Sequence, residues 1–392
     1  MVRVDVIVNG GGPTGAVLAL ALADAGWQVA IVEPTKDPAP LTKVVPSARV
    51  SALNASSIAL LQTLGLWDQI PEHLKSAFVR MQIWDSMTGA ELLFDAHEVM
   101  RAQLGFIVDH SALASASWQR LLAHASVIAF HGEKPVSLSC SEQSVELLLE
   151  SGERICAPLC IAADGASSFV RDSTSIAQIR RPYLHQAISA VVHTEYPHQS
   201  TAWQGFLQSG PQALLPMANP YHCALVWSLP QRSLVSLQAD NYSGFTAALQ
   251  SSFGDRLGQL ALQGPVRDFP LMMRHAVTYV SHRVALVGDA AHTIHPLAGQ
   301  GLNLGFADVS ALLAVLAAAR ARSRDHGSLP VLQRYARARR AKNIQMLCFV
   351  RAIEQSFGLN QAGWRHLRGF GVRQVNRCAL LKRWLIQQAS NS

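Results

Sequence analysis

The apolar positions of this chain follow two different periods. Near the start, Asp5-Val6-Ile7-Val8-Asn9 is a short continuous apolar run, followed by a glycine cluster and then by the almost wholly apolar stretch Ala16 to Ala25. This order predicts a strand buried on both faces, a tight turn and a buried helix that Gly26 stops. Gln28 to Val32 predicts the next buried strand, and Val284 to Val287 another, ended by Gly288-Asp289. Short strands are expected over Val136 to Leu149 and Arg154 to Leu159, ahead of one more apolar strand that ends at Asp164-Gly165. Between these runs the period changes to two. Ala187 to His193 and Cys223 to Trp227 alternate as half-buried strands do, and Val79 to Asp85 is expected to join them in a separate antiparallel sheet.

The reading is therefore α/β. A Rossmann-like domain is expected over 1–72, 101–180 and 276–330, interrupted by an antiparallel substrate domain over 73–100 and 181–275, with a C-terminal helical region over 331–392. At 392 residues and 49% hydrophobic, the chain can bury a large core in two or three domains. No apolar run reaches the roughly 18 residues that a membrane span requires, and Ala16–Ala23 and Ala311–Ala319 suit buried helices. The first strand begins almost at Met1, so no signal peptide is expected. Six cysteines without Cys-x-x-Cys spacing argue against a disulfide framework or a zinc site and for a reducing, cytoplasmic setting.

Charge changes the picture only at the end. From Val331 onward twelve basic residues face a single acid, Glu354, so the tail carries +11; against the overall +7, the rest of the chain carries −4. The basic residues are interleaved with Phe349, Trp364, Leu367, Phe370, Leu380 and Trp384, among others, as in helices that lie on an anionic membrane surface. An acidic partner protein is the other expectation; nucleic acid is not expected. Packing of these residues back onto the core is the plain alternative.

Three turns carry the chemistry. Gly10-Gly11-Gly12-Pro13-Thr14-Gly15 is a G-x-G-x-x-G turn between strand and helix. In such a turn Gly10 makes the bend, Gly12 admits a pyrophosphate and Gly15 lets helix and strand pack closely. Glu33 ends the second strand 18 residues past Gly15, where a carboxylate meets an adenosine ribose. The fingerprint alone does not separate NAD from FAD. The second turn, Ala163-Asp164-Gly165, offers a carboxylate for Arg49 or a ribose, with Arg171 near enough to meet phosphate. In the third, Asp289 sits at the tip of a parallel strand, where it can hold a ribityl chain. Gly299, Gly301 and Gly305 follow, opening a helix whose N-terminus favours negative charge, such as the N1 and C2 carbonyl edge of a reduced flavin.

These three turns, in this order, resemble those of the class A FAD-dependent aromatic hydroxylases, the para-hydroxybenzoate hydroxylase type. The runs Arg49 to Ser57, Gly210-Pro211 with Leu215-Pro216, and His295 to Gly301 are similar to the ubiquinone-biosynthesis hydroxylase family. Together with Trp84-Asp85 and Gly105 to Val108, the Arg49 run most resembles the branch acting on 2-polyprenylphenol at ring carbon 5. The resemblance implies FAD, a polyprenylphenol and molecular oxygen as reactants, and hydroxylation through a C4a-hydroperoxyflavin. It implies Arg49 at the pyrophosphate, Leu302 and Asn303 in the cofactor set and Pro296 along the flavin face. His292 and His295 are the nearest candidates for a base that makes a phenolate. Phe206, Leu214, Leu215 and Trp227 are candidates for a dry pocket wall. No second glycine fingerprint is present, so NAD(P)H binds transiently or a redox partner supplies electrons. Homo-oligomerisation is left open. The rival functions are a hydroxylase of a small soluble phenol and a flavin-binding scaffold of a lipid-biosynthesis complex.

Overall fold

Three neighbouring parallel strands, Val6–Asn9, Leu159–Ala162 and Val284–Leu286, form the middle of a six-stranded sheet in a computed structural model that describes residues 1–36, 40–234, 242–295, 299–359 and 361–391. Val29–Glu33 and Val127–His131 extend it in parallel on one side, and Val280–Ser281 closes the other side antiparallel. Val6, Ile7, Val8 and Val29 to Val32 are fully buried, as strands covered on both faces must be. The covering helix Pro13–Asp24 opens with proline at its first turn and ends where Gly26, at φ +82°, lets Trp27 N–H reach back to Leu22 O at 3.1 Å. Beside it run the helices His110–Leu122 and Gly301–Arg320.

The second large sheet has eight strands, in the order His292–Thr293, Leu260–Ala276, Gln178–Thr194, His222–Pro230, Gly210–Pro216, Thr201–Leu207, Arg80–Asp85 and Ala90–Asp95. Its neighbours pair antiparallel except Thr201–Leu207 with Arg80–Asp85, which run parallel because that outer hairpin comes from a distant part of the chain. One face is packed by the helix Ser243–Phe253, through Phe245, Leu249 and Phe253 against Ile188, Leu225 and Trp227. The segment 73–100 divides between two sheets: Lys75–Phe78 pairs instead with Gly105–Asp109, whose other neighbour is Val50–Leu53.

The basic tail folds into the helices Leu329–Gly358, Ala362–Arg377 and Ala379–Asn391. The first buries a stripe of Val331, Leu332, Tyr335, Arg339, Asn343, Leu347 and Val350, with helical spacing. Gly301–Arg320 is long and apolar enough to cross a bilayer by length and composition, but Phe306, Val309, Leu312 and Leu316 are buried in the core of the first sheet. Arg368 knots the tail to the second sheet. It donates to both carboxylate oxygens of Asp85, at 2.8 and 3.2 Å, and to the carbonyls of Ser356, Phe357 and Leu359 at the end of the long helix. Asn376 accepts from Leu93 N–H on the outermost strand at 3.1 Å.

Candidate functional site

The turns that follow the three central strands lie at one edge of the sheet and touch each other. Gly10, at φ +104°, is so close to the second turn that a Cβ there would sit 2.5 Å from the carbonyl of Ala163. A Cβ on Gly15 would meet Gly10 O at 1.9 Å, so the helix can start against the bend only with glycine there. Gly12 differs, because a Cβ on it would meet nothing within 4 Å. Two of the three fingerprint glycines therefore serve packing, while Gly12 faces open space, as close approach by a phosphate requires. Across the same edge, Gly288 and Gly305 pack on Thr14, and Gly299 packs on Ala52.

The polar groups of these turns are tied to backbone. Glu33 accepts from Gly11 N–H at 2.6 Å and from Thr35 N–H at 2.9 Å, which holds the first turn against the tip of its neighbouring strand. Asn9, polar at the end of an apolar strand, donates through Nδ2 to Asp164 Oδ2 at 2.8 Å, and Val170 N–H donates to the same oxygen at 3.2 Å. Burial raises the Asp164 pKa, partly offset by hydrogen bonds from Ser168, Val170 and Asn9. Asn9 Oδ1 and Asp164 Oδ1 remain buried without a partner among the described residues, which is unfavourable unless a ligand supplies donors. Arg171 corrects an expectation. It is fully buried and donates to the carbonyls of Ala166 and Ala290, both at 3.2 Å, so it staples the second turn to the third and is not available to a phosphate.

Asp289 is exposed at the third turn. Surrounding protein mass raises its pKa by desolvation, with His292, Arg274 and Arg49 acting in the opposite sense. The Arg49 side chain is exposed, and its segment is held by Asp109, which accepts from Ser47 N–H at 2.9 Å and also caps the His110–Leu122 helix. Burial, then Arg49, lowers the neighbouring His110 to a pKa of about 4. At the start of the Gly301–Arg320 helix, the Gln300 side chain makes no capping bond to the first-turn amides, and a Cβ on Gly301 would enter open space. Asn303 is committed elsewhere. It accepts from Asn54 N–H at 3.0 Å and Ser57 Oγ–H at 2.7 Å and donates to Ala52 O at 2.8 Å, clamping the helix to the Val50–Leu53 strand. Leu302 packs half-buried against the core. Pro296 lies outside the described residues.

The two histidines have different surroundings. His292 is 1% exposed, and its Nε2 lies 2.6 Å from Oδ2 of the fully buried Asp308. Asp308 also accepts from Arg339 at 2.8 Å, Asn343 at 3.1 Å and Gly288 N–H at 3.1 Å. Burial alone would raise the Asp308 carboxyl, but His292 and Arg339 bring its pKa below the ordinary value. Through Asp308 the His292 ring helps to fix the Gly288–Asp289 turn, while its Nδ1 is buried without a partner among the described residues. Asp308, Arg339 and Asn343 were missed from the sequence; an aspartate within an apolar helix was the available signal. His295 is equally buried but faces the second sheet. Its Nε2 lies 3.5 Å from Ser228 Oγ, its ring meets Tyr183 edge-on at 4.8 Å, and burial, then His185, lowers its pKa to about 4. Of the expected wall residues, Phe206, Leu214 and Trp227 are buried and Leu215 is half-buried; Leu214 and Trp227 belong to the cluster on the far face of the sheet. Among the described residues, no group of three or more His, Cys, Asp or Glu side chains is placed to hold a metal ion.

An open glycine turn, an exposed carboxylate and a glycine-opened helix start come together at the ends of the central strands, and together they fit a dinucleotide. Comparison with known proteins agrees. The family described as "FAD binding domain" matches residues 3–350, and the chain belongs to it. The 3-demethoxyubiquinol 3-hydroxylase of Escherichia coli (strain K12) is 37% identical over 386 residues, covering 98% of each chain. The ubiquinone hydroxylase UbiL of Rhodospirillum rubrum is 34% identical, covering 98% of this chain and 89% of its own. The mitochondrial ubiquinone biosynthesis monooxygenase COQ6 of Danio rerio is 31% identical with the same coverage. Among solved structures, p-nitrophenol 4-monooxygenase PnpA from Pseudomonas putida DLL-E4 matches with a TM-score of 0.82 at 19% identity, over 100% of this chain and 99% of its own, a likeness of fold. The protein is an FAD-dependent monooxygenase of α/β architecture with a C-terminal helical segment.

Proposed function

We propose that this member of the FAD-binding family hydroxylates the aromatic ring of a polyprenylated phenol during ubiquinone synthesis, with molecular oxygen as co-substrate. The observation that carries the reading is the convergence of the three turns, which brings the exposed Asp289 and the open Gly12 to the same ends of the central strands. Bound FAD supplies the activation of oxygen. The chain's own residues bind and orient: Gly12 and Arg49 meet the pyrophosphate, Glu33 and Asp164 belong to the nucleotide end, and Asp289 holds the ribityl chain. The backbone of Gly299, Gly301, Leu302 and Asn303 lies along the flavin edge, where the helix start favours its negative charge. Here Glu33 also holds the glycine turn, and Asn303 contributes through its backbone because its side chain is spent on Asn54, Ser57 and Ala52.

His292 acts as a positioning residue through Asp308, whereas His295, with Ser228 and Tyr183, stands nearer the substrate sheet. A neutral imidazole there can accept a phenol hydrogen bond, and Pro296 is assigned to the flavin face. We divide the chain as before: 1–72, 101–180 and 276–330 hold the cofactor, 73–100 and 181–275 the substrate, and 331–392 forms the basic tail. That tail exposes Trp364, Leu367, Phe370, Leu380 and Trp384 beside Arg373, Arg377 and Arg383, which supports peripheral contact with an anionic membrane where a prenylated substrate resides.

Two ring positions are in play. The Arg49 to Ser57 run favours carbon 5 of a polyprenylphenol, while the 37% identity to the Escherichia coli relative favours a later demethoxylated quinol. Quinone-intermediate profiling in a strain lacking this protein decides between them. Accumulation of a polyprenylphenol fits the first, and build-up of a demethoxyubiquinol fits the second. An unaltered quinone profile refutes the function.

A further inference from the structure

A notch of about 400 Å³ opens between the second sheet and the end of the long C-terminal helix, within the range usual for small-molecule sites. None of its lining residues belongs to the three turns. Its walls include His185, Phe206, Pro211, Glu354, Phe357 and Leu359.

Strand register shows which face of the sheet the notch occupies. Ile188, Cys223, Leu225, Trp227, Trp203 and Leu207 pack toward the Ser243–Phe253 helix. His185, Phe206 and Ser228 alternate with them along the same strands and so face the other way, toward His295. A Cβ built on Gly210, which lines the notch, would lie 2.2 Å from Ser228 O and 3.8 Å from the His185 ring. The inner end of the notch thus borders the His295, Ser228 and Tyr183 group.

The two ends differ in chemistry. At the inner end, His185 Nδ1 is buried without a partner among the described residues. Beside it, Phe206 and Phe357 stack with ring centroids 3.7 Å apart and planes at 15°, forming one apolar wall that exposed Leu359 continues toward solvent. A molecule matching this gradient has a polar ring and an extended hydrocarbon chain. We propose that the notch receives the isoprenoid tail of the substrate, entering between the sheet and the C-terminal helix with the ring innermost, beside His295. The stacked Phe206 and Phe357 pair is its specificity-determining wall. The inference rests on the prenylated-ring reading above, and each methylene buried there adds roughly fourfold to affinity.

Gly358 allows a clean test, because it lines the notch, has no positive φ and would place a Cβ in open space. Gly358→Phe fills the notch, and Gly358→Ala is the control. The FAD-loaded wild-type enzyme and both variants are compared for kcat/KM on ring-matched phenols whose isoprenoid tail lengthens from none to farnesyl. The bound-flavin absorbance spectrum and unfolding temperature confirm that each variant is folded. The expected result is a loss of about tenfold or more for Gly358→Phe with the farnesylated phenol, less than about twofold with the tail-free phenol, and neither loss for Gly358→Ala. A wild-type enzyme that favours the tail, with a Gly358→Phe variant that keeps that preference, overturns the notch assignment alone. A wild-type enzyme indifferent to tail length overturns the prenylated-ring reading with it.

Discussion

Replacing Asp308 with asparagine tests whether the flavin groove is shaped from behind. The carboxylate is fully buried and receives four partners: His292 at 2.6 Å, Arg339 at 2.8 Å, Asn343 at 3.1 Å and Gly288 N–H at 3.1 Å. An amide keeps the shape but loses the charge, and its NH₂ must face at least one donor. Arg339, 6% exposed, is then left without an anion. Breaking such a pair from one side costs about 3–5 kcal/mol, a large part of the roughly 5–15 kcal/mol that a folded protein has in reserve. At roughly 2 °C per kcal/mol for a large domain, unfolding should come roughly 6–10 °C earlier. Because Gly288 N–H loses its acceptor, FAD occupancy should fall as well, although residue 308 lies behind the groove. Calorimetry gives the first quantity and visible absorbance the second. Arg339→Met and the double variant complete a cycle, with an expected coupling above about 1 kcal/mol. The acid limb gives an independent reading. The lowered Asp308 pKa stabilises the fold above the ordinary carboxylate range, and that stability is lost as pH falls through the lowered value; Asp308→Asn should lack this step. Additive single variants, or unchanged melting with full flavin content, would refute the reasoning.

Two other predictions follow from the site. His110, His275 and His295 all have pKa values lowered from 6.5 to about 4, chiefly by burial. The unfolded chain therefore binds more protons between those values, so stability should fall as pH drops from about 6.5 toward 4; for the nearly inaccessible His295, up to about 3 kcal/mol is at stake. Denaturant melts of His295→Asn across that window should show a shallower slope than wild type, and an identical slope would count against burial as the cause. The fingerprint glycines should separate: Gly12→Ala should keep stability within about 0.5 kcal/mol yet weaken FAD about tenfold or more, whereas Gly10→Ala should lose both, since its Cβ would lie 2.5 Å from Ala163 at φ +104°. Equal effects in flavin titration and melting would contradict the division between packing and approach.

Continuous apolar runs at Val6, Val29 and Val284 made the first sheet legible, because strands covered on both faces can hold little else. The fingerprint turn was legible for a related reason: close contacts at Gly10 and Gly15 leave no room for a side chain. What pairs at long range was not legible. Asn9 looked out of place until Asp164, 155 residues away, was seen to accept from it. Arg171 looked like a phosphate ligand because spacing cannot tell a surface guanidinium from one that closes two turns from inside. Asp308 was hidden in an apolar helix whose partners, Arg339 and Asn343, belong to a tail read mainly by its charge. The division of 73–100 between two sheets was also invisible, since periodicity gives a strand its faces but not its neighbour.

The Arg368 knot has a consequence for the order in which the molecule is made. Asp85 and the outermost strand emerge from the ribosome long before the guanidinium and the Asn376 amide that complete them. Until then the nascent chain carries an open sheet border, a hazard for self-association. Final closure of the second sheet must therefore await release of the last helices, and a nonsense codon upstream of position 368 should yield an aggregating product rather than a shorter enzyme.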